Sequence, residues 1–479
     1  MSSTDILVVA FGAMIGWGWV VASGRWIQNA GTIGTVIGFI IGGVMIYFVG
    51  LTYAELTPAM PKVGGEKVFS HKAFGPTGSF ICTWALILSY IGVVCFEAVS
   101  LPTIVQYIFP SSARGFLYTI AGSDVYLSGI AIASLFTIAI MVINILGIKA
   151  ASVFQTILTG TIALVGVILV VASALKGSST NLEGQVIVGE GIGSVKNILS
   201  VAIVAPFFLF GFDVIPQVAE EVNIHLKKVA RVLLLSIICA VSFYGLVVFA
   251  VGYALNAGEI AEAMEGAGLV TASAMEKVFN SAVMTKVLIV GGLCGVITSW
   301  NSFLIGGSRA IFSMAESRMI PVALSKLNKK HKTPVNALLL VSALSLVAPF
   351  FGKTMLVWIA DAASLACCLA YCMVALSFLI LRKKEPDLHR PYLVKHHKFV
   401  GVTAACLSGL MVALYLIPAS GTSLTNEEWI IVGGWALLGV VFYAVCKKHY
   451  GHRFGMMEDE SPAPLATAAP PSPLQENSP

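Results

Sequence analysis

The stretch "FGAMIGWGWVVASG", Phe11 to Gly24, lies at the centre of the chain's first long apolar run. A helix interior disfavours glycine by roughly 1 kcal/mol per residue relative to alanine. Gly12, Gly16 and Gly18 nevertheless sit there, with Trp17 and Trp19 between them. A second run of spanning length, "SVAIVAPFFLFGFDVIPQVAEE" (200–221), carries Pro206, Gly211 and Pro216. Proline removes a backbone donor and disrupts the turn before it. Both runs therefore read as helices interrupted near their middles.

The surrounding composition sets the solvent. Of 479 residues 57% are hydrophobic and only 11% charged, with a mean hydropathy of +0.89. Soluble domains carry about 25% charged residues. An α-helical span needs about 20 mostly apolar residues, and about twelve such runs follow one another from 5–29 to 428–446. The alternating ten-residue segments of a β-barrel are not seen. The chain reads as an all-α polytopic membrane protein with about twelve transmembrane helices. With the N-terminus placed in the cytoplasm, 22 of the 29 Lys and Arg fall on the inner side. The positive-inside rule then predicts a multi-pass cell-membrane protein with both termini cytoplasmic.

The interruptions fall in the first and sixth runs, five spans apart. An odd offset makes the two broken helices cross in opposite directions, the sequence sign of an inverted repeat with a binding site at its midplane. Glycine and proline are also commoner in membrane helices generally, which is the plainer alternative. Backbone polar groups left free inside a membrane are tolerated only against protein or a polar cavity. The outer half of the first span begins near Gly18, so the amides of Ile15, Gly16, Trp17 and Gly18, at a positive helix end, suit a carboxylate. The outer half of the sixth span ends near Phe207–Phe210 with free carbonyls, which suit an ammonium group. Together the two ends match the head group of an α-amino acid.

Four motifs carry a family resemblance: "GAMIGWG" (12–18), "GFDVIPQVAEE" (211–221), "GGSRAIFSMAESRMIP" (306–321) followed by "KTPVNALL" (332–339), and "VALSFLILRKKEPDLHRPY" (374–392). In that order they resemble the amino acid–polyamine–organocation superfamily of transporters. The resemblance implies the leucine-transporter type of five-plus-five inverted repeat with two added C-terminal helices. The first repeat would cover 1–176, the second 195–381 and the added helices 382–446, and 447–479 reads as a disordered cytoplasmic tail. It also implies a permease working by alternating access, with a small-molecule substrate and the lipid bilayer as its partners. Trp17 departs from the pattern, which has a small residue there. If it faces the pocket it narrows it.

Further candidates follow. Glu97, in the third span, is an ionisable residue inside a membrane and defaults to a functional reading. It would meet a cationic substrate group or exchange a proton, or else be a protonated carboxyl bonded to a neighbouring helix. Asp213 would cap the inner half-helix or touch substrate. Phe207, Phe208 and Phe210, beside Gly211, offer an aromatic lid, and Tyr90 a hydroxyl for the carboxylate. Asp361 belongs to an outer gate or to a wet entrance. In the eighth span the resemblance makes Trp300 a substrate-facing aromatic and Thr298, Ser299 and Asn301 a candidate cation site. The lysine that replaces such a site in some proton-coupled relatives has no counterpart in the fifth span after Lys149. Sodium coupling, proton coupling of another kind, exchange and uncoupled uptake all stay open.

The eight histidines fall in loops or the tail, and the nine cysteines nearly all fall within apolar runs. The sequence therefore predicts no metal site, no cofactor and no disulfide framework. The runs "KKHK" and "LRKK" fix topology and touch anionic lipid rather than nucleic acid. No phosphate loop, carboxylate pair or nucleophile elbow suggests an enzyme. The competing readings are an amine or polyamine importer that uses Glu97, and a non-coupled nutrient receptor.

Overall fold

The structure, a computed structural model, describes residues 2–221, 225–265, 269–418 and 423–457. Among them ten helices are long and apolar enough to cross a membrane, and two shorter apolar ones, Ile192–Phe208 and Val335–Phe351, complete a set of twelve. The protein is an all-α polytopic membrane protein. Its only strands among the described residues are Phe116–Ile120 and Ser123–Tyr126, an antiparallel hairpin between the third and fourth spans. The hairpin is tied to the end of the ninth span by Tyr118, whose hydroxyl donates to the Phe350 carbonyl at 2.7 Å.

The spans are numbered in chain order. Span 1 is broken into Ser3–Met14, Gly18–Val21 and Ser23–Ala30, span 2 is Thr32–Ala59, and span 3 lies in Gly65–Ile108. That third helix bends where Gly75 adopts φ +76, open only to glycine at low cost, just before Pro76. Spans 4 and 5 are Leu127–Ile145 and Ile148–Lys176. Span 6 is broken into Ile192–Phe208 and the single turn Val214–Gln217. Spans 7 and 8 are Leu226–Ala254 and Ala282–Glu316, and span 9 begins with Val335–Val347. Spans 10, 11 and 12 are Met355–Lys384, His397–Leu416 and Asn426–Tyr450.

Close helix approach in lipid relies on small residues. Gly38 and Gly42 of span 2 seat span 6, since a Cβ on either would sit 2.8 Å from Val201 or 2.7 Å from Ala205. On the face that carries both described chain ends, Glu55 of span 2 is fully buried. It binds Arg382 at 2.6 Å and Arg390 at 3.1 Å and accepts the Val394 amide at 2.8 Å. The arginines belong to the "LRKKEPDLHRPY" motif, so that motif locks span 2 to the end of span 10.

Of the expected tail, 447–457 continues span 12 and then packs back. Phe454 meets Phe80, and the Gly455 amide donates to the Ser317 carbonyl at 2.8 Å. Residues 458–479 lie outside the described residues.

Candidate functional site

Span 1 stops being helical at Ile15–Trp17. The Ile15 amide still closes the last turn on the Phe11 carbonyl at 3.1 Å, so Ile15 is spent within the inner half and does not join the expected amide cluster. The amides of Gly16, Trp17 and Gly18 have no backbone acceptor among the described residues. This is the arrangement of donors that a helix start leaves for an anion.

Span 6 breaks after Phe208. Gly211 adopts φ +132 and lies so close to span 1 that a Cβ would stand 2.5 Å from that of Ala13 and 3.0 Å from the Met14 amide. The two breaks are therefore in contact. Asp213 occupies the N-cap position of Val214–Gln217 but makes no side-chain cap. Its carboxylate turns back to accept the Gly211 amide at 2.9 Å, which corrects the capping expectation. Tyr90 donates its hydroxyl to the Asp213 carbonyl at 3.0 Å and is fully buried, so it braces the break and does not line the cavity.

Between the breaks is a cavity whose free volume is about 30 Å³, room for one or two waters. The site is closed. Gly16, Trp17 and Gly18 form one wall, Phe207, Phe208 and Phe210 another, and Glu97 and Ser299 reach in from spans 3 and 8. The space at the glycines is already used. A Cβ on Gly16 would lie 2.6 Å from Glu97 Oε1, and one on Gly18 would run into the Phe208 ring. The second carboxylate oxygen of Glu97, Oε2, is buried without a hydrogen-bond partner. Trp17 both lines the cavity and presses its ring on Gly292 of span 8.

Trp300 is fully buried but outside this lining. Helical phase explains it: Ser299 and Phe303, four residues apart, share one face, and both line the cavity while Trp300 turns about 100° away. Sequence reasoning missed Phe303, Phe96 and Tyr244. The first was legible from its spacing to Ser299. Tyr244 of span 7 donates to the Met14 carbonyl at 3.1 Å, where the carbonyls of span 1 lose their helical donors.

The candidate cation site of Thr298, Ser299 and Asn301 is built differently from expectation. Gln155 of span 5 enters beside Gly12, and its amide nitrogen donates to the Thr298 carbonyl at 3.1 Å and the Ser302 hydroxyl at 2.9 Å. Asn301 donates to Gln155 Oε1 at 2.9 Å and accepts from Asn144 at 2.8 Å. The Thr298 hydroxyl donates to the Gly295 carbonyl at 3.0 Å, and Ser302 donates to the Val9 carbonyl of span 1 at 3.0 Å. A neutral amide chain thus links spans 1, 4, 5 and 8, and only Ser299 faces the cavity. Asp361 of span 10 lies apart from all this, beside Glu428 of span 12.

The comparisons with known proteins agree with this architecture. A family model described as amino acid permease matches residues 2–442. The branched-chain amino acid permease BcaP of Bacillus subtilis is 24% identical, covering 94% of this chain and 93% of its own. The aspartate-proton symporter of the same organism is 23% identical over 96% of this chain and 92% of its own. The histidine permease HisP of Lactococcus lactis is 24% identical over 90% of each.

Proposed function

The chain belongs to the amino acid permease family, and on that premise we propose that it moves amino acids across the cell membrane by alternating access, as a secondary transporter with both termini cytoplasmic. It is a transporter and not an enzyme. The observation that carries the reading is the contact of the two helix breaks around one small cavity, with free amides on the span 1 side. The substrate carboxylate would sit on the Gly16, Trp17 and Gly18 amides, where the helix end supplies partial positive charge. The ammonium would turn to the carbonyls at Phe207–Phe210, with Glu97 adding negative charge nearby. The relatives named above carry branched-chain, acidic and imidazole side chains, so kinship alone does not choose one. Support for a small apolar side chain comes from the lining of Phe96, Phe207, Phe208, Phe210 and Phe303, narrowed by Trp17.

The Gln155 chain supports turnover without sodium at span 8, because the carbonyl and hydroxyl of Thr298 and both amide groups of Asn301 are engaged by protein groups. A second reading, import of an amine that lacks the carboxylate, draws on the unpartnered Glu97 Oε2. Counterflow in proteoliposomes separates the two. L-Alanine, L-valine and L-serine on the trans side are expected to accelerate labelled uptake, and their decarboxylated amines are not. Glu97→Gln is expected to keep amino acid counterflow within about tenfold of the unaltered chain. Acceleration by the amines, with counterflow abolished in Glu97→Gln, would install the amine reading instead. Saturable binding with no trans-acceleration would point to a receptor.

A further inference from the structure

Away from the substrate cavity, a long groove runs between span 12 and spans 3, 10 and 11, with a free volume of about 550 Å³. Its floor is apolar, with Leu88 of span 3, Leu365 of span 10, Val412 of span 11 and Val432 of span 12 among the lining. The indole N–H groups of Trp84 and Trp435, which also line it, are spent on each other's carbonyl oxygens. Ile81, Trp429 and Val440 on its rim are exposed, so the groove opens on the surface that meets the bilayer. From Trp429 to Tyr443 it follows about 20 Å of helix, more than the roughly 15 Å of hydrocarbon in one leaflet.

The groove changes character at the Tyr443 end. There the hydroxyls of Thr77 and Tyr443 are hydrogen-bonded at 2.8 Å. Lys447, one turn beyond Tyr443, donates to its hydroxyl at 3.0 Å and lies over its ring at 5.0 Å. An ammonium group carries three donors, and that bond takes one of them to a neutral oxygen. Lys384, at the end of span 10, donates to the Ala73 carbonyl at 3.2 Å, one turn's length of chain before Thr77. Lys447 and Lys384 are both exposed. Basic pockets between helices at the membrane surface recognise anionic lipid head groups.

We propose that this groove binds one anionic phospholipid, with an acyl chain laid along spans 3, 10, 11 and 12 and its phosphate at Lys447, Thr77 and Tyr443. Lys384 adds positive charge at the same mouth. Water gains nothing in an apolar space that lacks polar partners, and hydrocarbon is the solvent at this depth. The shape selects a chain over a helix. About 550 Å³ spread over about 20 Å gives a mean cross-section on the order of 25 Å², against roughly 80 Å² for a helix 10 Å across. A partner helix or a second copy would lie across the opening and leave the floor unfilled. An anionic head group suits the mouth better than a zwitterionic one, whose own cation would meet two lysines. The bound chain packs on Trp84 and Trp435, which join span 3 to span 12, and so secures that contact.

The test uses the purified full chain in detergent, stripped of lipid, with thermal unfolding followed as dioleoylphosphatidylglycerol is added. A ligand of the folded state raises apparent stability by mass action, and a saturable rise of about 3 °C or more is expected. Dioleoylphosphatidylcholine is expected to give less than a third of that rise. Lys447→Gln is expected to bring the two lipids to the same small shift. Ala436→Phe, which places a ring in the groove from an exposed position, is expected to abolish the shift from both. Should one variant fail to stay monodisperse, the other decides. No shift or equal shifts from the two lipids in the unaltered chain, or shifts unchanged in the variant that folds, would overturn the proposal. So would an equal shift from glycerol 3-phosphate, which has no chains, or a shift accompanied by doubled mass in light scattering, which would give the groove to a second copy.

Discussion

At the residue scale, the opening glycines are accounted for by what occupies the space beside them. Gly12 leaves room for Gln155 and Thr159, Gly16 for Glu97 and Gly18 for Phe208. Each therefore carries a different interaction of the same broken helix. Gly18→Ala has to displace a cavity-lining phenylalanine, so amino acid counterflow is expected to fall more than tenfold while the protein still folds. Gly160→Ala of span 5 is the control, because nothing lies within 4 Å of its Cβ position. It is expected to leave counterflow unchanged and to stabilise by up to about 1 kcal/mol through helix propensity. Equal losses in both variants would remove the close-approach explanation. Of these neighbours Glu97 was the most legible in the sequence, since an acid in an apolar run is conspicuous. Phe208 was marked by its place at the second break, whereas Gln155 became significant only once its helix was placed.

At the scale of elements, span 12 shows how an added helix is held where lipid competes for its surface. Trp84 of span 3 donates its indole N–H to the Trp435 carbonyl, and Trp435 donates to the Trp84 carbonyl, both at 2.9 Å. The rings stack at 4.4 Å, and Gly439 gives Trp84 its space. Trp435→Phe keeps an aromatic ring and loses one donor, so it is expected to cost about 1 kcal/mol. Thermal unfolding in detergent measures it, and Trp84→Phe is expected to match it. No loss in either would mean that ring packing alone holds span 12. The existence and order of these helices were readable from apolar length and topology-setting charge. Which faces meet was not, because a helix hydrophobic all round carries no stripe that names its neighbour. The same ambiguity of phase made Trp300 and Tyr90 look like cavity residues.

At the scale of the whole molecule, the cavity and a buried Glu66–Asp213 cluster both adjoin the break in span 6. The amide chain through Gln155 runs beside them and ends on the inner half of span 1. Spans 1, 4, 5 and 8 are thus joined by neutral hydrogen bonds, where an ion would make the link conditional on its concentration. Replacing sodium with choline on both sides of the proteoliposomes is expected to leave amino acid counterflow within twofold. A drop beyond tenfold would return the cation to span 8. Several determinants are local and could be read from one dimension. Length and hydropathy specify the number of crossings, lysine and arginine placement specifies the expected orientation, and glycine and proline mark where spans 1 and 6 break. The tertiary structure alone decided which free groups face one another. It turned Tyr90 and Asp213 inward to brace the break, lined the cavity with phenylalanines, satisfied span 8 with Gln155, and left Glu66 buried near Asp213. Breaks follow from backbone chemistry within a few residues, whereas partners depend on the rotation of each helix about its axis, which packing across hundreds of residues sets.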